Sequence, residues 1–82
     1  MVISLGEVHD QLYHEIGTRL RALRESRGYS QVAMARALGI STQRLGMYEL
    51  GKRRLDLDVL RVICLAFKVR ADWLILGKKP RS

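Results

Sequence analysis

The feature that most constrains this chain is a two-residue hinge. Ser30 is suited to cap a helix over Gln31–Leu38, and Gly39 stops it. Ser41 is suited to cap another over Thr42–Leu50, and Gly51 stops that one. Only Gly39 and Ile40 separate Leu38 from Ser41. Two helices of about nine residues joined by so short a turn cannot lie side by side. They must cross steeply, which is the geometry of a helix-turn-helix.

The flanking sequence supplies more helices and no strand pattern. Leu5, Val8, Leu12, Ile16, Leu20 and Leu23 recur every three or four positions, one stripe of a helix that ends at Gly28. Ser4 and Glu7 have capping-box spacing, so this helix could start at Leu5; it could also start near Asp10 and leave an arm before it. Asp56 is placed to cap a fourth helix, Leu57–Phe67, with Leu57, Leu60, Ile63, Cys64 and Phe67 on its apolar stripe. A short fifth, Ala71–Leu76, ends at Gly77. The expectation is an all-α domain over residues 14–77, an N-terminal extension over 1–13, and a frayed basic tail over 78–82.

Eighty-two residues leave room for one domain with a modest core. The longest strictly apolar run, Val62–Phe67, is far short of a membrane span, and no secretory leader is visible, so a cytoplasmic protein is expected. One cysteine excludes an internal disulfide and a cysteine-based zinc cluster. His9 and His14 are wrongly spaced for a one-face metal pair, and Cys64 lies on an apolar stripe. No catalytic constellation, metal site or cofactor motif is present, so no enzyme and no cofactor are expected.

Charge points to a partner. The net charge is +7, and all 15 Lys and Arg residues follow residue 17, with five of the eight acids. Such asymmetry suits a polyanion, nucleic acid first, although a solvated basic surface would have the same composition. On a wheel, Leu45 and Tyr48 share the inward face of the third helix, while Gln43 and Met47 face outward with Gly46 beside them and Arg44 on the flank. An α-helix fits the DNA major groove, where Gln pairs with adenine, Arg with guanine, and Met or Thr touches a thymine methyl. Gln31 in the first turn of its helix, and the run Lys52, Arg53, Arg54, are suited to phosphate.

The stretch Tyr29–Arg54 (YSQVAMARALGISTQRLGMYELGKRR) resembles the Cro/C1-type (Xre-like) helix-turn-helix family. The likeness extends from about Ile16 to Gly77, through Ser30-Gln31, Ala35, Gly39, Ser41, Tyr48-Glu49, Gly51-Lys52-Arg53 and Asp72-Trp73-Leu74. It implies a five-helix, lambda-repressor-like bundle with its helix-turn-helix at about residues 30–51. It further implies a transcriptional regulator, either repressor or controller, that binds a pseudo-palindromic double-stranded DNA operator as a homodimer. By that resemblance Thr42, Gln43, Arg44 and Met47 read bases. Gln31, Ser41, Lys52, Arg53 and Arg54 hold phosphates, and Arg24 and Glu49 form a structural salt bridge. Trp73, Ile75 and Leu76, with Leu65 or Val62, offer surplus apolar surface for a dimer face. An antitoxin that binds a toxin and autoregulates through the same motif is the other reading, and a fragment of a longer regulator a third. The sequence departs from the family at Gly46, Leu50, Val32 and Ala33, where larger or more polar residues are usual, and at Arg70, where a Ser cap is common.

Overall fold

The computed structural model describes residues 3–78. Five helices follow one another with no strand among these residues: α1 (Leu5–Ser26), α2 (Gln31–Leu38), α3 (Thr42–Glu49), α4 (Leu57–Phe67) and α5 (Ala71–Leu76). Of the two possible starts for α1, Leu5 is the observed one, so a single helix crosses the expected boundary at residue 13. The side chains of Glu7 (and with it the capping box to Ser4), Val8, His9 and Asp10, and the tail beyond Lys78, lie outside the described residues.

Local chemistry explains the boundaries. The Ser30 hydroxyl accepts a hydrogen bond from Ala33 N–H at 3.0 Å, and the Ser41 hydroxyl accepts one from Arg44 N–H at 3.0 Å. Each satisfies an amide that a helix start leaves without a carbonyl. Gly39 closes α2 at φ +74°, a left-handed conformation costly for a residue with a Cβ, and Ile40 N–H then reaches back to Ala35 O at 3.0 Å. The chain thereby turns out of α2 and enters α3 within three residues.

Each helix contributes one aliphatic side chain with no exposed surface: Leu20, Met34, Leu45, Ile63 and Leu74. Full burial of such a side chain is worth about 1.5–3 kcal/mol. Around them α1 packs on α3 and α5, and α2 packs on α3 and α4. The α4 stripe differs from the sequence expectation. Leu57 is 81% exposed, and Val59, spaced four residues from Ile63 and eight from Phe67, takes the buried place with them. Cys64 is half-buried, and burial pushes its thiol up from the ordinary range, which suits a packing residue rather than a nucleophile. No helix among the described residues is long and apolar enough to cross a membrane.

Two glycines have opposite surroundings. A Cβ on Gly17 would collide with the backbone carbonyl of Tyr48 and lie 2.5 Å from that of Glu49, so α1 approaches the end of α3 only because this residue has no side chain. A Cβ on Gly46 would meet nothing nearer than Gln31 Nε2 at 3.9 Å. Gly17→Ala is therefore expected to lower stability by about 1–3 kcal/mol through overpacking. Gly46→Ala is expected to raise it by about 0.5–1 kcal/mol, the helix-propensity difference. Urea unfolding midpoints of the two variants check both signs.

Candidate nucleic-acid interface

The geometry of the interface starts from Glu49, which is buried although charged. Its Oε2 accepts from Arg24 Nε at 2.7 Å, and its Oε1 accepts from Arg24 Nη2 at 3.1 Å. Oε1 also accepts from Gln31 Nε2 at 3.0 Å, while Arg24 Nη1 donates to the Tyr29 carbonyl at 3.0 Å. One carboxylate thus links α1, the start of α2 and the end of α3. Glu49 keeps 3% of its side-chain surface exposed and Arg24 keeps 11%. The hydrogen bond to Glu49 raises the Arg24 guanidinium further above its ordinary value, against the opposing effect of burial. The sequence reading paired Arg24 with Glu49 but missed Gln31 as their third member; its side chain is held by Glu49 rather than left open to solvent. No local pattern signals that contact, since it joins residues 18 apart in the chain.

This brace leaves one side of α3 uncovered. Thr42 and Gln43 are exposed, and Met47 is at the margin of exposure beside Gly46. Leu50 is exposed at the end of the helix. Ser41 is exposed too, with its hydroxyl engaged as the cap of α3. Lys52, Arg53 and Arg54 follow in an exposed loop, and the Arg53 guanidinium carbon stands 5.8 Å from the centre of the Tyr48 ring. The uncovered face therefore carries an amide, a hydroxyl and a thioether, and a run of three cations borders it.

Arg44 differs from the expectation that it joins this outward set. Its Nε donates to the Tyr48 hydroxyl at 2.7 Å and its Nη2 donates to Asp56 Oδ2 at 2.7 Å. The Tyr48 hydroxyl in turn donates to Asp56 Oδ2 at 3.0 Å. The reason is position: Arg44 lies on the flank beside Tyr48, and α4 begins close by. Asp56 differs as well. It occupies the cap position of α4 but makes no side-chain cap bond, its carboxylate being drawn to Arg44 and Tyr48. Arg44, and next Tyr48, hold the Asp56 carboxyl below the usual carboxylate range. The contact with Arg44 is thus present at neutral pH and is lost only as acidification carries the solution through that lowered value.

The residues expected at a dimer face fall into two groups. Leu65 and Leu76 are 72% and 62% exposed, whereas Trp73 and Ile75 pack partly against the core. Among the departures from the family, Val32 and Ala33 are exposed on α2, and Arg70 stands at the cap of α5 without a side-chain cap bond and pairs with Asp72 at 3.1 Å.

A model of the helix-turn-helix family HTH_3 matches residues 20–74, two thirds of the chain. The chain belongs to the Cro/C1-type helix-turn-helix family. Among its relatives, the SPbeta prophage-derived uncharacterized HTH-type transcriptional regulator YonR of Bacillus subtilis (strain 168) is 44% identical over 61 residues, which are 74% of this chain and 56% of that one. The uncharacterized HTH-type transcriptional regulator YazB of the same organism is 38% identical over 63 residues, 77% of this chain and 91% of that one. HTH-type transcriptional regulator PrpR of Mycobacterium tuberculosis is 39% identical over 57 residues, 70% of this chain but 12% of its own length. The fold is similar to the crystal structure of the restriction-modification controller protein C.AhdI from Aeromonas hydrophila. The TM-score is 0.71 at 29% identity, over 76% of this chain and 94% of that chain. The family match covers α2 and α3 entirely and leaves the first 15 residues of α1 outside it.

The brace has a measurable consequence. Arg24→Ala leaves Glu49 charged and buried among α1, α2 and α3. The expected loss of stability in urea or thermal unfolding is about 3 kcal/mol, the low end of the range for a broken buried pair.

Proposed function

We propose that this helix-turn-helix chain is a sequence-specific double-stranded DNA-binding transcriptional regulator, a repressor or controller protein, acting in the cytoplasm. The observation that carries the reading is the uncovered face of α3. Gln43 is exposed there, the helix beneath it is fixed by a buried ion pair, and the cationic loop Lys52–Arg54 borders it. A helix anchored in this way can enter the major groove as a rigid body, and its first residues reach base edges.

In this reading Gln43 pairs with a base through its amide, and Thr42 and Met47 contact neighbouring base edges or a thymine methyl. Lys52, Arg53 and Arg54 contact phosphate, joined by the starts of α2 and α3 at Gln31 and Ser41. The hydrogen bond that Gln31 Nε2 donates to Glu49 sets where the Gln31 amide points. Two copies bind one two-fold operator, with the exposed Leu65 and Leu76 and the half-buried Trp73 and Ile75 between them. The relatives named above carry the names of HTH-type regulators and the similar structure that of a controller protein, which gives an antitoxin reading no support.

Binding titrations separate the roles. Gln43→Ala is expected to cost about 1–3 kcal/mol on the preferred duplex and little on random DNA. Arg53→Ala is expected to weaken both alike and to lower the salt slope by about one. Equal losses on preferred and random DNA for Gln43→Ala would refute its role as a base reader. Sedimentation that finds only monomers at high concentration, with and without operator, would remove the dimer.

A further inference from the structure

Asp56 gives up one role for another. Its backbone has the extended geometry of a helix cap, φ −73° and ψ 150°, in which an Asp carboxylate ordinarily accepts amide bonds from the first turn. The carboxylate instead takes Arg44 Nη2 at 2.7 Å and the Tyr48 hydroxyl at 3.0 Å, and that hydroxyl accepts Arg44 Nε at 2.7 Å. Three side chains from α3 and the start of α4 therefore close a ring around one guanidinium. The Arg44 guanidinium carbon also stands 5.5 Å from the centre of the Tyr48 ring, and that of Arg53 stands 5.8 Å from it.

Arg44 is the one cation of α3, and its guanidinium shares the Tyr48 ring with that of Arg53 from the cationic loop. A long, free guanidinium at that place would find a phosphate on any duplex. Such a contact adds affinity without sequence information and lowers the ratio of specific to non-specific binding. A carboxylate so near a phosphate-binding loop would by itself repel DNA, so its presence there calls for a function.

We propose that Asp56 is a specificity-determining residue: with the Tyr48 hydroxyl it holds the Arg44 guanidinium against α4 and withholds that cation from indiscriminate phosphate binding. The inference rests on the DNA-binding reading above. It leaves sequence discrimination to the uncharged Thr42, Gln43 and Met47, and non-specific attraction to the Lys52–Arg54 loop. Ionisation of Asp56 at neutral pH, kept by its bonds to Arg44 and Tyr48, maintains the restraint under ordinary conditions.

The test is Asp56→Asn, which keeps a residue able to cap α4. Affinity for a preferred and a random duplex is measured across a salt series for the wild type, Asp56→Asn, Arg44→Ala and the double variant. The expected result is several-fold tighter binding of random DNA by Asp56→Asn, a smaller gain on the preferred duplex, and a salt slope steeper by about one, as for an added phosphate contact. The expected double variant binds like Arg44→Ala, since the cation that Asp56 holds by a hydrogen bond is gone. Unchanged selectivity in Asp56→Asn, with or without a shift in melting temperature, would overturn the proposal and leave the ring a structural clamp. The same gain in the Arg44→Ala background would overturn it too, because removal of a negative charge would then explain everything. A wild type that prefers no duplex sequence would overturn the DNA-reading assignment itself, an outcome visible before any variant is compared.

Discussion

The arrangement of this molecule depends on a single buried carboxylate. Glu49 closes α3, and within 3.1 Å of its two oxygens lie Arg24 from α1 and Gln31 from α2. Three helices are registered by it. A charge in that position is costly unless it is paired and hydrogen-bonded, and here the two oxygens receive three hydrogen bonds, two of them from the guanidinium of Arg24. Apolar packing alone would hold α1 against α3, but it would tolerate sliding. The carboxylate adds direction, and Gly17 adds the close approach that lets the helices meet. The outcome is an α3 with one side fixed inside the bundle and the other offered to solvent.

That division explains how the site is shared out. Residues that face inward on α3, Leu45 and Tyr48, are buried, and residues that face outward carry the chemistry suited to base edges. Cations lie in the loop that follows rather than on the outward face itself. In the proposed reading this separates holding from reading: the loop supplies attraction common to all duplexes, and the helix supplies discrimination. The Arg44–Tyr48–Asp56 ring belongs to the same logic, since it stands where the two functions meet.

Helix boundaries were legible in the sequence because they are local events. A serine hydroxyl reaching an amide three residues on, or a glycine taking a left-handed turn, needs no knowledge of the rest of the fold, and both ends of Gln31–Leu38 and the Gly77 end of Ala71–Leu76 follow from such signals. The Arg24–Glu49 pair was legible through family resemblance. What remained illegible is where polar side chains spend their hydrogen bonds. Gln31 and Asp56 each have a suitable local role, phosphate contact and helix cap, yet a tertiary neighbour draws the side chain of each. Arg44 sits on the border between two faces of a wheel, and only the position of α4 decides which side it joins. Leu57 and Val59 fit one periodic stripe about equally well, and the crossing of α4 over α2 selects the second.

The central claim is that the uncovered face of α3 reads sequence in duplex DNA. Selection of binding sites from a pool of random duplexes tests it most directly. The account predicts enrichment of one motif, present as two inverted half-sites about one helical turn apart, 10–10.5 base pairs centre to centre or a multiple of it. Recovered duplexes with no sequence in common beyond the starting pool, despite measurable binding, would contradict it.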